Sequence, residues 1–489
     1  MSRPSLMIPL AALFASGCTV GPDYHPPSEA APPAFAEAVP ANARADVVDL
    51  EHWWTVFGDP ELDRLVDAAL NDAPDIRLVA SRVRQARIAA GIARARYLPQ
   101  INASGGVNRI DFSKNAGFSS LASLFGGGGS GSSGQGIATP GNGITTYSAG
   151  FDASWEIDLF GGGRRAVEGA KARVDAAEWT ARDAAVSLSG EVANGYFQFR
   201  TLQRRESVLR EDIARQERQL ELRQHRAQAG LTPGDEPIRE QASLSQLRAS
   251  LEPLLIEQRI EMHALAVLIG RAPGALIDEL SAPAPAVAVP PAIPPGLPSE
   301  LLQRRPDVRA AERQLAAATA DIGVATADLY PHISLTGVAE LLSSGLSNLV
   351  SRDSVQTSAG ARLAFPLLDF GRRRGEVDNR REAMTQAYIA YQKVVLGAFR
   401  DVEDALVRVD GAQKQTAQLA AGVADSKRAL DVADARYQSG LTDLSAVLQA
   451  RGGWIAQRQA LVVAQGSLDQ ALASLYKALG GGWQQQAAQ

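Results

Sequence analysis

The chain has 489 residues and a single cysteine, Cys18. A lone thiol makes no internal disulfide, so the fold has to be held without covalent staples. Histidine is scarce as well. His25, His52, His225, His263 and His332 are scattered, with no His-Glu-x-x-His run and no second thiol to complete a metal centre. No local motif pairs a nucleophile with a base, which argues against an enzyme and against a bound cofactor. An excess of charge of one sign is missing too: 49 Lys and Arg stand against 54 Asp and Glu, so there is no basic footprint for a nucleic acid.

The first 17 residues read as a signal peptide, with Arg3 as the positive end and Leu6 to Phe14 as a run too short to cross a bilayer as a helix. Ala15-Ser16-Gly17 before Cys18 resembles a lipobox, which makes Cys18 the expected site of a diacylglyceryl and palmitoyl lipid. Thr19 after it suggests sorting to the outer membrane. Residues 18–50 are rich in Pro and Ala without periodicity and form an extended arm.

The rest of the chain is a duplication. Residues 148–270 align with 358–480 at an offset of 210, so that Ser148, Ala149, Gly150, Phe160, Gly161 and Arg164 recur as Ser358, Ala359, Gly360, Phe370, Gly371 and Arg374. Upstream the offset is 232: Asp75, Arg77, Gly91 and Pro99 meet Asp307, Arg309, Gly323 and Pro331. The difference is an insertion in the first copy between Ile101 and Tyr147, where ten glycines between Gly117 and Gly143 mark a loop. Its GGGGSGSSGQG run lacks the GK[ST] ending of a phosphate-cradling loop. The first repeat is expected over 51–280, a linker with seven prolines over 281–298, the second repeat over 299–480 and a tail over 481–489.

Each repeat has the order helix, strand, strand, long helix, turn, long helix. Helices are expected at about 75–98 and 307–329, ended by Pro99 and Pro331. Strands are expected at about 101–108, 147–159, 331–341 and 357–369, all alternating. Tyr147, Ala149, Phe151, Ala153, Trp155, Ile157 and Leu159 share one face, and Ser148, Asp152, Ser154, Glu156 and Asp158 the other. Helical hairpins are expected at about 164–270 and 372–480. Apolar residues step by four and three from Met384 to Tyr437, a coiled-coil seam in a helix roughly 100 Å long at about 1.5 Å per residue. The first copy's seam is looser, with Glu178, Glu206, Gln216 and Arg223 on it. Gly230-Leu231-Thr232 and Gly440-Leu441-Thr442 mark the turns, glycine as helix stop and threonine as N-cap.

Four two-faced strands suit a lipid boundary only as a closed barrel, and about eight strands is the practical minimum, so the chain is expected to oligomerise. The polar face, with Asp152, Glu156, Asp158, Glu340 and Arg362, would then line a lumen.

On these residues the chain resembles the TolC-type outer-membrane efflux channels, in the lipoprotein branch that serves tripartite RND-type pumps. The resemblance lies in Cys18 with GPDYHPP (21–27), WWTVFGDPELDRLV (53–66), RRPDVRAAERQLAAATADIGVATADLYPHISLTG (304–337), the two Phe-Gly junctions and the two Gly-Leu-Thr tips. It implies a homotrimer with a 12-stranded membrane β-barrel and an all-α coiled-coil tunnel in the periplasm. It also implies tips that dock on a periplasmic adaptor and an inner-membrane pump, and passive conduction of drugs or other small molecules. Other readings are the duct of a type I secretion or metal-ion export system, which four methionines do not favour, and a non-conducting, lipid-anchored spacer. By the same resemblance Asp443 and Gln449 fall at the periplasmic gate, Gln449 where the family usually has Asp. Asp443 serves equally as a helix-capping acid. Phe160, Gly161, Phe370 and Gly371 are placed where barrel becomes tunnel. Arg164, Arg165 and Arg372 to Arg374 lie just beyond, with lipid, lumen, or Asp158 and Asp369 as their partners.

Overall fold

The computed structural model describes residues 19–28, 31–37, 50–111, 144–282 and 298–483. Cys18, the signal peptide, the glycine-rich loop and most of the linker lie outside them. The chain order is α1 (Pro60–Asp72), α2 (Pro74–Ala95), β1 (Gln100–Ile110), β2 (Ile144–Ile157), α3 (Gly162–Gln228), α4 (Glu236–Ala249), α5 (Leu251–Leu268), α6 (Ile277–Leu280), α7 (Pro298–Arg304), α8 (Pro306–Ala327), β3 (His332–Ser343), β4 (Val355–Ala364), α9 (Arg372–Gln438) and α10 (Leu444–Ala478). No described helix is long and apolar enough to cross a membrane.

Two compact units emerge. The first, drawn from 1–25, 88–171 and 316–385, contains the sheet. Its four strands pair antiparallel in sequence order. Gln100 pairs with Ser154 in the first hairpin and His332 with Ala364 in the second. Adding 232 to the first residue and 210 to its partner converts one pair into the other, so the duplication holds to the level of hydrogen-bond register. The hairpins meet along β2 and β3, where Gly150 faces Glu340. Among the described residues, β1 and β4 each leave one edge unpaired.

The strand expected at 357–369 stops at Ala364. Pro366 has no N–H to give to a ladder, and residues 365–369 are irregular. The strand expected at 147–159 ends at Ile157, because Asp158 turns to cap the next helix. Apolar side chains of one face are exposed in the single chain: Ile101, Val107, Phe151 and Leu363 all exceed 60%. The other face carries polar pairs, Asn102 with Asp152 at 3.0 Å and His332 with Glu156 at 2.7 Å.

The second unit, drawn from 26–87, 172–315 and 386–489, holds the main core. A 3₁₀ turn at Trp53–Phe57 delivers two indoles and a phenyl ring, all but fully buried. Trp53 stacks on Tyr476 of α10 with ring centroids 5.2 Å apart, and Phe57 meets Phe197 of α3 at 4.7 Å. Gly58 takes the left-handed conformation that ends the turn, Asp59 accepts the Glu61 N–H, and Pro60 opens α1. The Trp-Trp…Phe-Gly-Asp-Pro block is thus a packing and capping device. In the Arg-Arg-Pro-Asp block, Arg305 reaches Asp307 at 2.6 Å and Asp401 at 3.2 Å, tying α8 to α9.

The first copy's hairpin departs from expectation. Its return arm is broken at Ser250 into α4 and α5. Pro253 cannot donate to the carbonyl four residues back and clashes with it, whereas the counterpart Val463 lets α10 continue.

Candidate functional site

Each long helix ends in the same way. Leu231 N–H bonds the Arg226 carbonyl while Gly230 N–H bonds that of Ala227, and Leu441 and Gly440 repeat this on Arg436 and Tyr437. These are Schellman caps, with Gly230 and Gly440 at φ of 69° and 72°. They leave Leu231 and Leu441 at 74% and 77% exposure, a pair of bare apolar tips. Threonine is not the N-cap. In the second copy Asp443 takes that role, accepting the Ala446 N–H at 3.3 Å and the Ser445 hydroxyl at 2.6 Å. In the first copy α4 follows Asp235, with Thr232 outside the cap. One carbon separates a Thr hydroxyl from the reach of an Asp carboxylate, and the chain places Asp one residue later. The Ser445 hydroxyl, then the Ala446 N–H, hold the Asp443 carboxyl below its usual range. Asp443 and Gln449 are both exposed in the single chain.

Behind the tips lies a cluster that joins all four hairpin arms. Arg223 of α3 donates to Glu240 at 3.0 Å and Glu236 at 3.4 Å, both on α4, and to the Tyr437 hydroxyl of α9 at 2.8 Å. The Tyr437 hydroxyl in turn donates to Glu236 at 2.5 Å. Arg451 of α10 donates to Glu240 at 2.6 Å and to Gln219 at 3.1 Å. Two guanidinium groups balance two carboxylates, and the Glu240 side chain has no exposure at all. Burial first, then the bond to Glu236, pushes the Tyr437 phenol up. Further along the same helices, Asp212 pairs with Arg215 and, at 3.0 Å, with Arg458. Those two guanidinium groups lie 4.9 Å from the Trp454 ring centroid.

Of the polar residues on the first seam, Arg223 belongs to this cluster, while Glu206 bonds Gln258 and Arg210 and Glu178 bonds Arg87. Charged residues at heptad positions were the available signal. Their partners lie more than 200 residues away in the case of Tyr437 and Arg451, which spacing alone does not reveal.

At the sheet-to-helix junction Phe160 stacks on Tyr330 with centroids 4.7 Å apart, and Gly161 and Gly371 adopt φ of 79° and 86°. Phe370, its counterpart, is itself left-handed at φ 54° and almost fully exposed. Asp158 and Asp369 accept the first backbone N–H groups of α3 and α9. Arg164 and Arg373 pair with those same carboxylates. Arg165 behaves differently. It is buried, donating to Asp23 at 2.6 Å, to Glu168 at 2.9 Å and to the Val20 and Gly21 carbonyls. Val20 N–H bonds the Phe160 carbonyl, and a Cβ on Gly21 would strike Gly323. Of the partners expected for the junction arginines, Arg165 takes none and instead clasps the N-terminal arm. Its counterpart in the second copy is Gly375.

Among the described residues no cluster of His, Cys, Asp and Glu is arranged to hold a metal ion. The chain combines an antiparallel sheet, apolar on one face and polar on the other, with long helices paired in coiled-coil hairpins. The chain belongs to the outer membrane efflux protein family, whose model matches residues 65–271 and 297–481. It is 34% identical to the pyoverdine export outer membrane protein OpmQ of Pseudomonas aeruginosa, over 99% of this chain and 98% of that one. Identity to the outer membrane protein OprJ of the same organism is 31%, over 97% and 95%. The solved outer-membrane channel OprN superposes with a TM-score of 0.83 at 30% identity, covering 95% of this chain and 100% of that one. The protein is accordingly an outer-membrane efflux component, in a family of channels rather than of enzymes.

Proposed function

We propose that three copies close a 12-stranded barrel and a coiled-coil tunnel that passively conducts small organic molecules from the periplasm, or from a pump, to the exterior. The observation that carries this reading is the identity of register between the two hairpins. A sheet that repeats itself and ends on two complementary edges can continue from β4 of one copy to β1 of the next. Applying the two offsets to the β2–β3 pairing gives the register of that junction: Ala361 against Val107 and Leu363 against Gly105 of the neighbour. The supported cargo class is small organic molecules, siderophores included, since a relative named for pyoverdine export is among the most similar.

In this reading Cys18 carries the lipid anchor, and the arm clasped by Arg165 holds it at the junction. The bare tips at Leu231 and Leu441 meet a periplasmic adaptor, itself joined to an inner-membrane RND-type pump. The closed tip is held by the Arg223–Glu236–Glu240–Tyr437–Arg451 cluster, and adaptor contact favours an arrangement in which these bonds are broken. Asp443 acts as a cap that orders the tip, and the exposed Gln449 leaves that ring without a second acid. Purified protein in planar bilayers tests the reading: discrete single-channel currents are expected, and a protein that inserts without conducting is a spacer.

A further inference from the structure

The duplication gives each packed position a counterpart, and one set is filled in the second copy but open in the first. On α9 the Tyr391 ring and Val395 are buried against Val308 and Leu302. The two offsets carry these four residues to Ala181, Ala185, Ile76 and Leu70. A phenol ring and an isopropyl group have each been replaced by a methyl. Where they would lie, the first copy has a cavity of about 410 Å³, walled by those same four counterparts. A loss of two large side chains within one core leaves space that the surroundings only partly reclaim.

The cavity is not a mere void. The indoles of Trp54 and Trp483 add aromatic walls, and Glu51 and Asp67 put carboxylates on its lining. Its one guanidinium, Arg182, sits 4.2 Å from the Trp179 ring centroid and 5.4 Å from that of Trp483. That single cation stands beside two carboxylates, Glu51 and Asp67, so the lining carries an excess of negative charge and disfavours an anion. Apolar walls with a few polar groups, at this size, are the usual make-up of a small-molecule pocket. The repeat itself supplies the template for the occupant, since its other copy fills the same space with a tyrosine side chain.

We propose that this cavity binds a single-ring aromatic molecule bearing a hydrogen-bond donor, a phenol or an aromatic amine, whose ring takes the place that Tyr391 occupies in the second copy. The probe is p-cresol, the free form of the tyrosine side chain, titrated into the full-length protein in detergent. Calorimetry would give stoichiometry, and Trp54 and Trp483 fluorescence would report occupancy. Saturable binding of one p-cresol per chain is expected, at least tenfold tighter than 4-methylbenzoate, whose carboxylate would face Glu51 and Asp67. Ala181→Tyr should weaken binding at least tenfold by filling the space from within. Ala185→Val, a smaller change, should weaken it less and serves if the first variant does not fold. Absence of saturable binding to the native protein overturns the proposal. So does unchanged affinity in a folded filled variant, or equal binding of 4-methylbenzoate.

Discussion

The Tyr437 hydroxyl lies 2.5 Å from a Glu236 carboxylate oxygen, a bond between two helical hairpins formed by residues 201 positions apart. Arg223 donates to both partners. Such a bond holds only while the hairpins stay together, and its members are largely desolvated, so removing one partner leaves the others uncompensated.

Tyr437→Phe deletes the bridging hydroxyl and leaves the ring in place. A hydrogen bond to a charged group contributes about 1.5–3 kcal/mol, which corresponds to roughly a ten- to hundredfold shift in the closed-to-open ratio. Single-channel recordings should show a higher open probability at unchanged open conductance. An unaltered open probability would remove Tyr437 from the gate.

Asp443 separates charge from capping. Asn retains an acceptor for the Ala446 N–H and lacks the charge, whereas Ala loses both. The structure predicts that Asp443→Asn conducts like the native protein and that Asp443→Ala frays the start of α10. Because the folded carboxyl titrates below its ordinary value, its contribution is complete above the unfolded pKa, and it is lost as pH falls through the lowered one. Amide exchange at Leu444–Val447, once corrected for intrinsic rates, should therefore stay flat from neutral pH down to about pH 4 and rise only below it.

Gly466 of α10 faces Thr201 of α3 so closely that a Cβ would overlap the hydroxyl. Gly466→Ala should destabilise the folded chain by about 1–3 kcal/mol, the usual cost of overpacking. Gly411, with open space around its Cβ position in the single chain, supplies the control. Chemical denaturation of the two variants distinguishes them.

Arg165→Leu removes the clasp on residues 20–23. Limited proteolysis should then cut the arm several times faster than in native protein, with the second unit's core still resistant. An arm equally resistant in the variant would show that the Val20–Phe160 bond suffices alone.

Much of this was legible in sequence. The alternation of Tyr147–Leu159 gave the strand and its faces, and the 210 and 232 offsets hold to the residue in the hairpin registers. Glycine spacing located both Schellman turns. Alternation continues past Ala364 although β4 does not, because Pro366 keeps the pattern of side chains while breaking the ladder. Capping by Asp443 instead of Thr442 turned on a one-residue difference in loop length. Arg165 was visible only as one of several junction arginines, since its partners at Val20, Gly21 and Asp23 are joined to it by folding. The Trp53–Phe57 block stands out as a motif, but its reason, packing on Tyr476 and Phe197, lies in residues brought to it by folding.

Cysteines at Ala361 and Val107 test the central claim, closure between copies, most directly. The register carried over from β2–β3 places these residues opposite one another only across two chains. With Ala361→Cys and Val107→Cys in one chain, mild oxidation should give covalent dimers and trimers up to a closed trimer on a denaturing gel, and neither single variant should give the trimer. A chain that stays monomeric under these conditions, or cross-links equally when the pair is moved one residue out of register, would contradict the account.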